Sequence, residues 1–288
     1  MRLTFLVLIF PFAAIAQTDS TTVNKQKLII ASTSIAAAYT ASMIVLGNAW
    51  YSDAPRQSFH FFNDAPEWKQ MDKAGHFFSA FHISDNASAV FRSCSLSKKK
   101  SDFIGAITGM MIMSSIEVFD GYSAAYGASA TDIAANAAGS IFYLGQGLLW
   151  NDVRIHPKFS FHHTSLSKYR PDVLGSGASE ILKNYNGQTV WLAVDVAKFM
   201  PGSNWPKWLQ VDGGYGAENM LFARDSQNHQ AGYQPYRQYY LSLDVNFQAI
   251  PTRSRFLKTL FKVINIIKVP APALEFSRKG VKAHALYF

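Results

Sequence analysis

Polar and apolar positions alternate with two different periods along this chain. From Trp68 to Phe91, apolar residues recur every three or four positions. That spacing predicts a helix and shows none of the alternation of a strand. The same period predicts helices over about Lys27–Trp50, Asp102–Asp120 and Thr131–Trp150. Modest connections join these four segments, which suits a four-helix bundle. From Gln188 onward the period becomes two. Thr189–Val196, Trp208–Tyr215 and Gln238–Gln248 read as strands, the second weakened by Gly213-Gly214. In the third, Tyr239, Leu241, Leu243, Val245 and Phe247 point one way; Ser242, Asp244, Asn246 and Gln248 point the other. Leu274–Phe276 and Val281–Phe288 read as a hairpin around Arg278-Lys279-Gly280. Arg253–Lys268 reads as an amphipathic helix, suited to an anionic membrane surface or to the edge of the sheet. The predicted fold class is α+β: an N-terminal four-helix bundle, then a small C-terminal antiparallel β domain with that helix.

The ends of these patterns set the domains. Met1 and Arg2 precede an apolar run, and Ala14-Ile15-Ala16 fits a small-residue cleavage signal. Residues 1–16 therefore read as a secretory signal peptide. Residues 17–150 form the helical domain, 151–187 an irregular linker and 188–288 the β domain. The first helix is long enough to span a bilayer. Its Ala, Ser and Thr content equally suits a packing helix inside a bundle.

Several helices are almost wholly apolar apart from a few charges. On the second helix, Asp72 and His76 share one stripe; on the third, Glu117 and Asp120 do; on the fourth, Asp132, Asn136 and Gly139 do. A charge on an apolar helix is costly unless it meets a partner. Facing these stripes inward gathers Asp72, His76, Glu117, Asp120, Asp132 and Asn136 into one cluster, with Lys73 at its edge. His76, Glu117 and Asp132 are the candidate metal ligands within it. One histidine with several carboxylates suits Mg or Ca better than Zn. Gly105 and Gly109 form a G-x-x-x-G that allows close helix contact. Thr131 is the expected cap of the fourth helix, and His60 reads as an ordinary loop histidine.

The run Asp72-Lys73-Ala74-Gly75-His76, then Glu117 near the end of an apolar helix, then Asp132, Asn136 and Gly139, resembles the YfiM-like family of predicted periplasmic lipoproteins. More distantly it is similar to VanZ-like membrane proteins linked to glycopeptide resistance. The resemblance covers Trp68 to Trp150. It implies an envelope location and a helical domain, and it implies no reaction. The chain departs from these families twice. Tyr126-Gly127-Ala128-Ser129 stands where a VanZ-like protein has an arginine, and no cysteine follows the cleavage signal.

Composition narrows the class. Of 288 residues, 49% are hydrophobic and 16% charged, well under the usual quarter. That shortage of charge points to a membrane-embedded or membrane-apposed protein. The net charge of +8 suits anionic lipid or glycan surfaces. No nucleic-acid motif accompanies it. Cys94 is the only cysteine, which excludes an internal disulfide and a multi-cysteine metal site.

Three functions are compatible with this pattern. The cluster is a structural network in an exported envelope protein, membrane-associated in the periplasm, whose partners are membrane lipid or another envelope protein. Alternatively it is the centre of an enzyme acting on lipid or cell-wall glycan, with His76 as general base or metal ligand. In the third reading the sheet binds a hydrophobic ligand through the face of Tyr239, Leu241 and Leu243. The sequence is silent on oligomeric state.

Overall fold

The computed structural model describes residues 23–47 and 55–288. The expected signal peptide and the end of the first predicted helix, 48–50, lie outside the described residues. Within them the chain is α+β, with an antiparallel six-stranded sheet in its C-terminal part. It divides into two compact units.

The helical unit comprises 23–47, 55–65 and 75–153 of the described residues. Its helices are α1 (Lys25–Leu46), α2 (Met71–Ser93), α3 (Lys98–Gly121) and α4 (Ala130–Trp150). The first four residues of α2 belong to the other unit. Glycine sets the helix spacing. A Cβ on Gly109 would lie 2.7 Å from the Ala80 carbonyl oxygen, and one on Gly105 2.6 Å from that of Ser84. The expected G-x-x-x-G is therefore the face on which α3 meets α2. Polar side chains fill the interior. Asp102 accepts hydrogen bonds from Ser88 (2.6 Å), Arg92 (2.8 Å), Lys98 (2.5 Å) and Tyr143 (2.9 Å). Burial alone would raise its pKa; these donors and the Lys98 charge hold it below the ordinary value. Tyr39 of α1 donates to Ser115 of α3 at 2.8 Å.

The sheet unit comprises Pro66–Ala74 and Arg154–Phe288. Its strands are β1 (Ile155–Phe161), β2 (Gln188–Val194), β3 (Leu209–Glu218), β4 (Tyr236–Val245), β5 (Ala271–Ser277) and β6 (Gly280–Tyr287). They form a meander in sequence order, each antiparallel to the next. A helix α5 (Arg255–Ile264) links β4 to β5.

Two sequence expectations are corrected here, and a third is borne out. β1 lies inside 151–187, the stretch read as irregular: Pro157 hid it, but an edge strand tolerates proline. The strand expected over Trp208–Tyr215 is β3, which runs through its glycines. A Cβ on Gly214 would come 2.6 Å from the Trp191 ring, so the glycine admits that indole. The amphipathic helix stops at Ile264, because beyond it Phe159 donates to the Ile266 carbonyl and Lys268 to that of Phe159.

Asp195 closes one end of the sheet unit. It accepts from His156 (3.1 Å), Gln210 (2.8 Å) and Asn246 (2.8 Å), with Lys198 at 3.2 Å. Burial would raise its pKa, but the hydrogen bond and charge of His156, then Lys198 and Asn246, hold it at about 2 against 3.8. The unfolded chain therefore binds more protons in that window. This contribution to stability is complete above about pH 4 and fades as pH falls toward 2. Melting midpoints measured over that range should drop less steeply for Asp195→Asn than for wild type. Parallel curves would remove Asp195 as a source of acid sensitivity.

Candidate functional site

The helices of the first unit bring four of the expected residues together. His76 comes from α2, Glu117 from the last turns of α3, and Asp132 and Asn136 from the first turns of α4. Ser129 caps α4, accepting from the Asp132 backbone N–H at 3.0 Å. It takes the role expected of Thr131. The Ser129 N–H donates to Glu117 Oε2 at 3.0 Å, so the start of α4 is tied to the end of α3. Ser129 also donates to Asp64 at 2.6 Å, and Thr131 donates to the same oxygen at 2.9 Å. Sequence reasoning missed Ser129 and Asp64 as members of this site. The signal for the first was the serine three positions before Asp132, an N-cap spacing.

The imidazole of His76 has distinct surroundings at each nitrogen. Nδ1 lies 3.0 Å from Asn136 Oδ1. An amide oxygen only accepts, so Nδ1 carries the proton of that bond. In the neutral ring this leaves the Nε2 lone pair facing two carboxylates. Glu117 Oε1 is 3.8 Å from it and Asp132 Oδ2 3.9 Å. Glu117 is 2% exposed, and its Oε1 accepts no hydrogen bond. Asn136 is wholly buried.

Electrostatics explain the cost of this arrangement. Burial pushes the Glu117 carboxyl up to about 8. The Ser129 N–H pulls it down, while the charges of Asp132, Asp120 and Asp64 push it further up. Glu117 and Asp132 are thus two buried acids facing one imidazole nitrogen, and a proton or a cation between them relieves their repulsion. The atoms His76 Nε2, Glu117 Oε1 and Asp132 Oδ2 all lie within 4.8 Å of one another. Separations of 3.8 and 3.9 Å are too long for hydrogen bonds. They fit donors that share one cation at about 2.0–2.6 Å. The donor set of one nitrogen and two carboxylate oxygens suits Mg or Ca.

The remaining expected members make contacts of their own. Asp120, half-buried one turn after Glu117, acts on it through charge. Asp72 and Lys73 pair with each other at 2.7 Å, among the residues of the sheet unit. His60 is bonded to the backbone oxygens of Gly121 (3.0 Å) and Tyr126 (2.9 Å), the loop role expected of it.

All four residues of the centre, with Asp64, Ser129 and Gly139, fall in one matched segment. Residues 60–145 match DUF2279, a family described as predicted periplasmic lipoprotein. The sequence resemblance to predicted periplasmic lipoproteins thus has an independent counterpart, and the family description agrees with an exported, periplasmic protein. The DUF2279 segment covers α2, α3 and most of α4, and leaves α1 and the sheet strands outside it. A likeness to VanZ-like proteins is not shown. No curated protein and no solved structure matches the chain.

Proposed function

We propose that this is an exported envelope protein with a structural or interaction role at a membrane, whose helical unit is fixed by a divalent cation held between His76, Glu117 and Asp132. One observation carries the cation. A buried carboxylate oxygen without a hydrogen bond, a second carboxylate and an imidazole nitrogen converge from different helices. Bound there, Mg or Ca would neutralise the acids and pin α2, α3 and α4 to one register. The membrane role is supported by the outward faces of the helices. Ile29, Met111, Ile141 and Leu149 are each about two-thirds exposed or more. α1 over Lys25–Ile44 and α3 are each long and apolar enough to cross a membrane.

The test is elemental analysis and Mg and Ca titration of the purified protein, wild type beside His76→Ala. Wild type should bind one equivalent, with a raised melting temperature that a chelator reverses. The variant should lose at least about tenfold in affinity, as expected for removing a ligand. A wild type that binds neither ion and ignores chelator would sink the cation.

A second reading rests on the same atoms. The His76 side chain is 19% exposed, so a substrate oxygen or water can approach its Nε2. The centre would then serve an enzyme acting on lipid or cell-wall glycan, with His76 either as the base or as a ligand of a cation that would polarise the substrate. Turnover of a lipid or glycan phosphate lost in His76→Ala, at unchanged melting temperature, would favour it.

A further inference from the structure

The sheet unit has its polarity reversed. Along β4, Gln238, Tyr240, Ser242 and Asp244 are buried, while Tyr239, Leu241 and Leu243 are exposed. The register extends this across the sheet. Leu192 of β2, Leu241 of β4 and Leu274 of β5 stand in one row, linked through Gly213 of β3. Tyr215, Tyr239, Phe276 and Val281 stand in the next. The opposite face holds the ion pairs Lys158–Asp244 (2.9 Å) and Lys268–Asp212 (3.9 Å), all four side chains fully buried. It also curls on itself: Tyr287 of β6 bonds to Thr189 of β2 (3.0 Å) and Tyr240 of β4 (2.8 Å). The concave side therefore carries polar and ionic side chains around the buried cluster of Trp191, Tyr240, Ala273 and Tyr287, and the convex side is apolar.

An antiparallel sheet in water turns its apolar face to its own core. Apolar-out and polar-in is the arrangement of sheets that face lipid. At the β4–β5 connection, α5 adds exposed Phe256 and Leu260 beside exposed Arg255 and Lys258. Apolar side chains flanked by cations complement an anionic lipid surface.

We propose that the convex face of β2–β6, with α5 at its rim, lies against an anionic phospholipid bilayer. This rests on the membrane role proposed above and names the surface that performs it. The test is flotation of the full chain with phosphatidylcholine vesicles, with and without phosphatidylglycerol. Two variants are compared, Leu241→Thr/Leu274→Thr and Arg255→Glu/Lys258→Glu. Both change exposed positions, and circular dichroism verifies their folding.

Wild type should float with the anionic vesicles and far less with neutral ones. The leucine variant should lose at least about tenfold in partitioning, since two apolar contacts with the hydrocarbon are lost. The charge variant should lose its preference for phosphatidylglycerol. Folded variants that float like wild type would overturn this inference and leave the membrane role standing on another surface. A wild type that stays with neither vesicle would overturn both. A wild-type dimer in sedimentation velocity, abolished by the leucine variant and accompanied by no flotation, would assign the face to a second copy instead.

Discussion

Gly139→Val is expected to destabilise the helical unit by about 3 kcal/mol and to dismantle the His76 centre with it. A Cβ at Gly139 would lie 2.2 Å from the Phe77 carbonyl oxygen and 2.9 Å from its carbonyl carbon. Those atoms are backbone of α2, so no side chain can swing aside, and α2 and α4 must separate. Phe77 is the neighbour of His76, and Gly139 lies one turn beyond Asn136. Separation there breaks the 3.0 Å bond that orients the imidazole. Gly145→Ala is the internal control, because a Cβ there meets nothing within 4 Å. In mid-helix that exchange should stabilise by about 0.5–1 kcal/mol. Urea unfolding of both variants, with the cation titration repeated on Gly139→Val, separates steric contact from helix propensity. Equal and small effects at the two glycines would refute the close approach of α2 and α4.

Lys158→Met should cost about 3–5 kcal/mol in the sheet unit, the loss expected when one partner of a buried pair is removed. Lys158 and Asp244 are both fully buried and 2.9 Å apart. Lys158 also donates to the Val245 carbonyl at 2.8 Å. Burial also pushes the Asp212 carboxyl up, and the neighbouring Asp244 charge adds to it. The interior therefore holds more potential negative charge than the remaining Lys268 can balance. The double variant Lys158→Met/Asp244→Leu should recover most of the loss, since an apolar pair of similar volume replaces two desolvated ions. A double variant as unstable as the sum of its singles would mean that the two residues act independently.

Much of the helical unit was legible because its signals are local. Helical period placed all four helices within a few residues, and isolated charges on apolar faces identified His76, Glu117, Asp132 and Asn136. Asp72, on the helix stripe of His76, pairs with its neighbour Lys73. Ser129 was passed over for Thr131, since both are good caps two residues apart and only backbone geometry separates them. In the sheet the alternation of β4 was plain, but which of its faces is buried was not. Period two gives the faces and is silent on which one meets solvent. β1 escaped because its inward positions include Lys158 and Ser160, residues that do not announce a buried strand.

The bonds of Tyr287 bear on how the sheet unit forms. Its hydroxyl meets Thr189 across 98 positions of chain. Lys158 likewise reaches Val245 across 87. Closure of the sheet's interior thus waits on pairings distant along the chain, whose loop-closure entropy must be met before they contribute. The sheet unit should therefore be the slow-folding part of this chain. The long-range bonds of the helical unit close shorter loops, 76 positions for Tyr39–Ser115 and 60 for His76–Asn136. During export the interval between the two is when its strand edges stand unpaired, and a periplasmic chaperone would have its longest opportunity there.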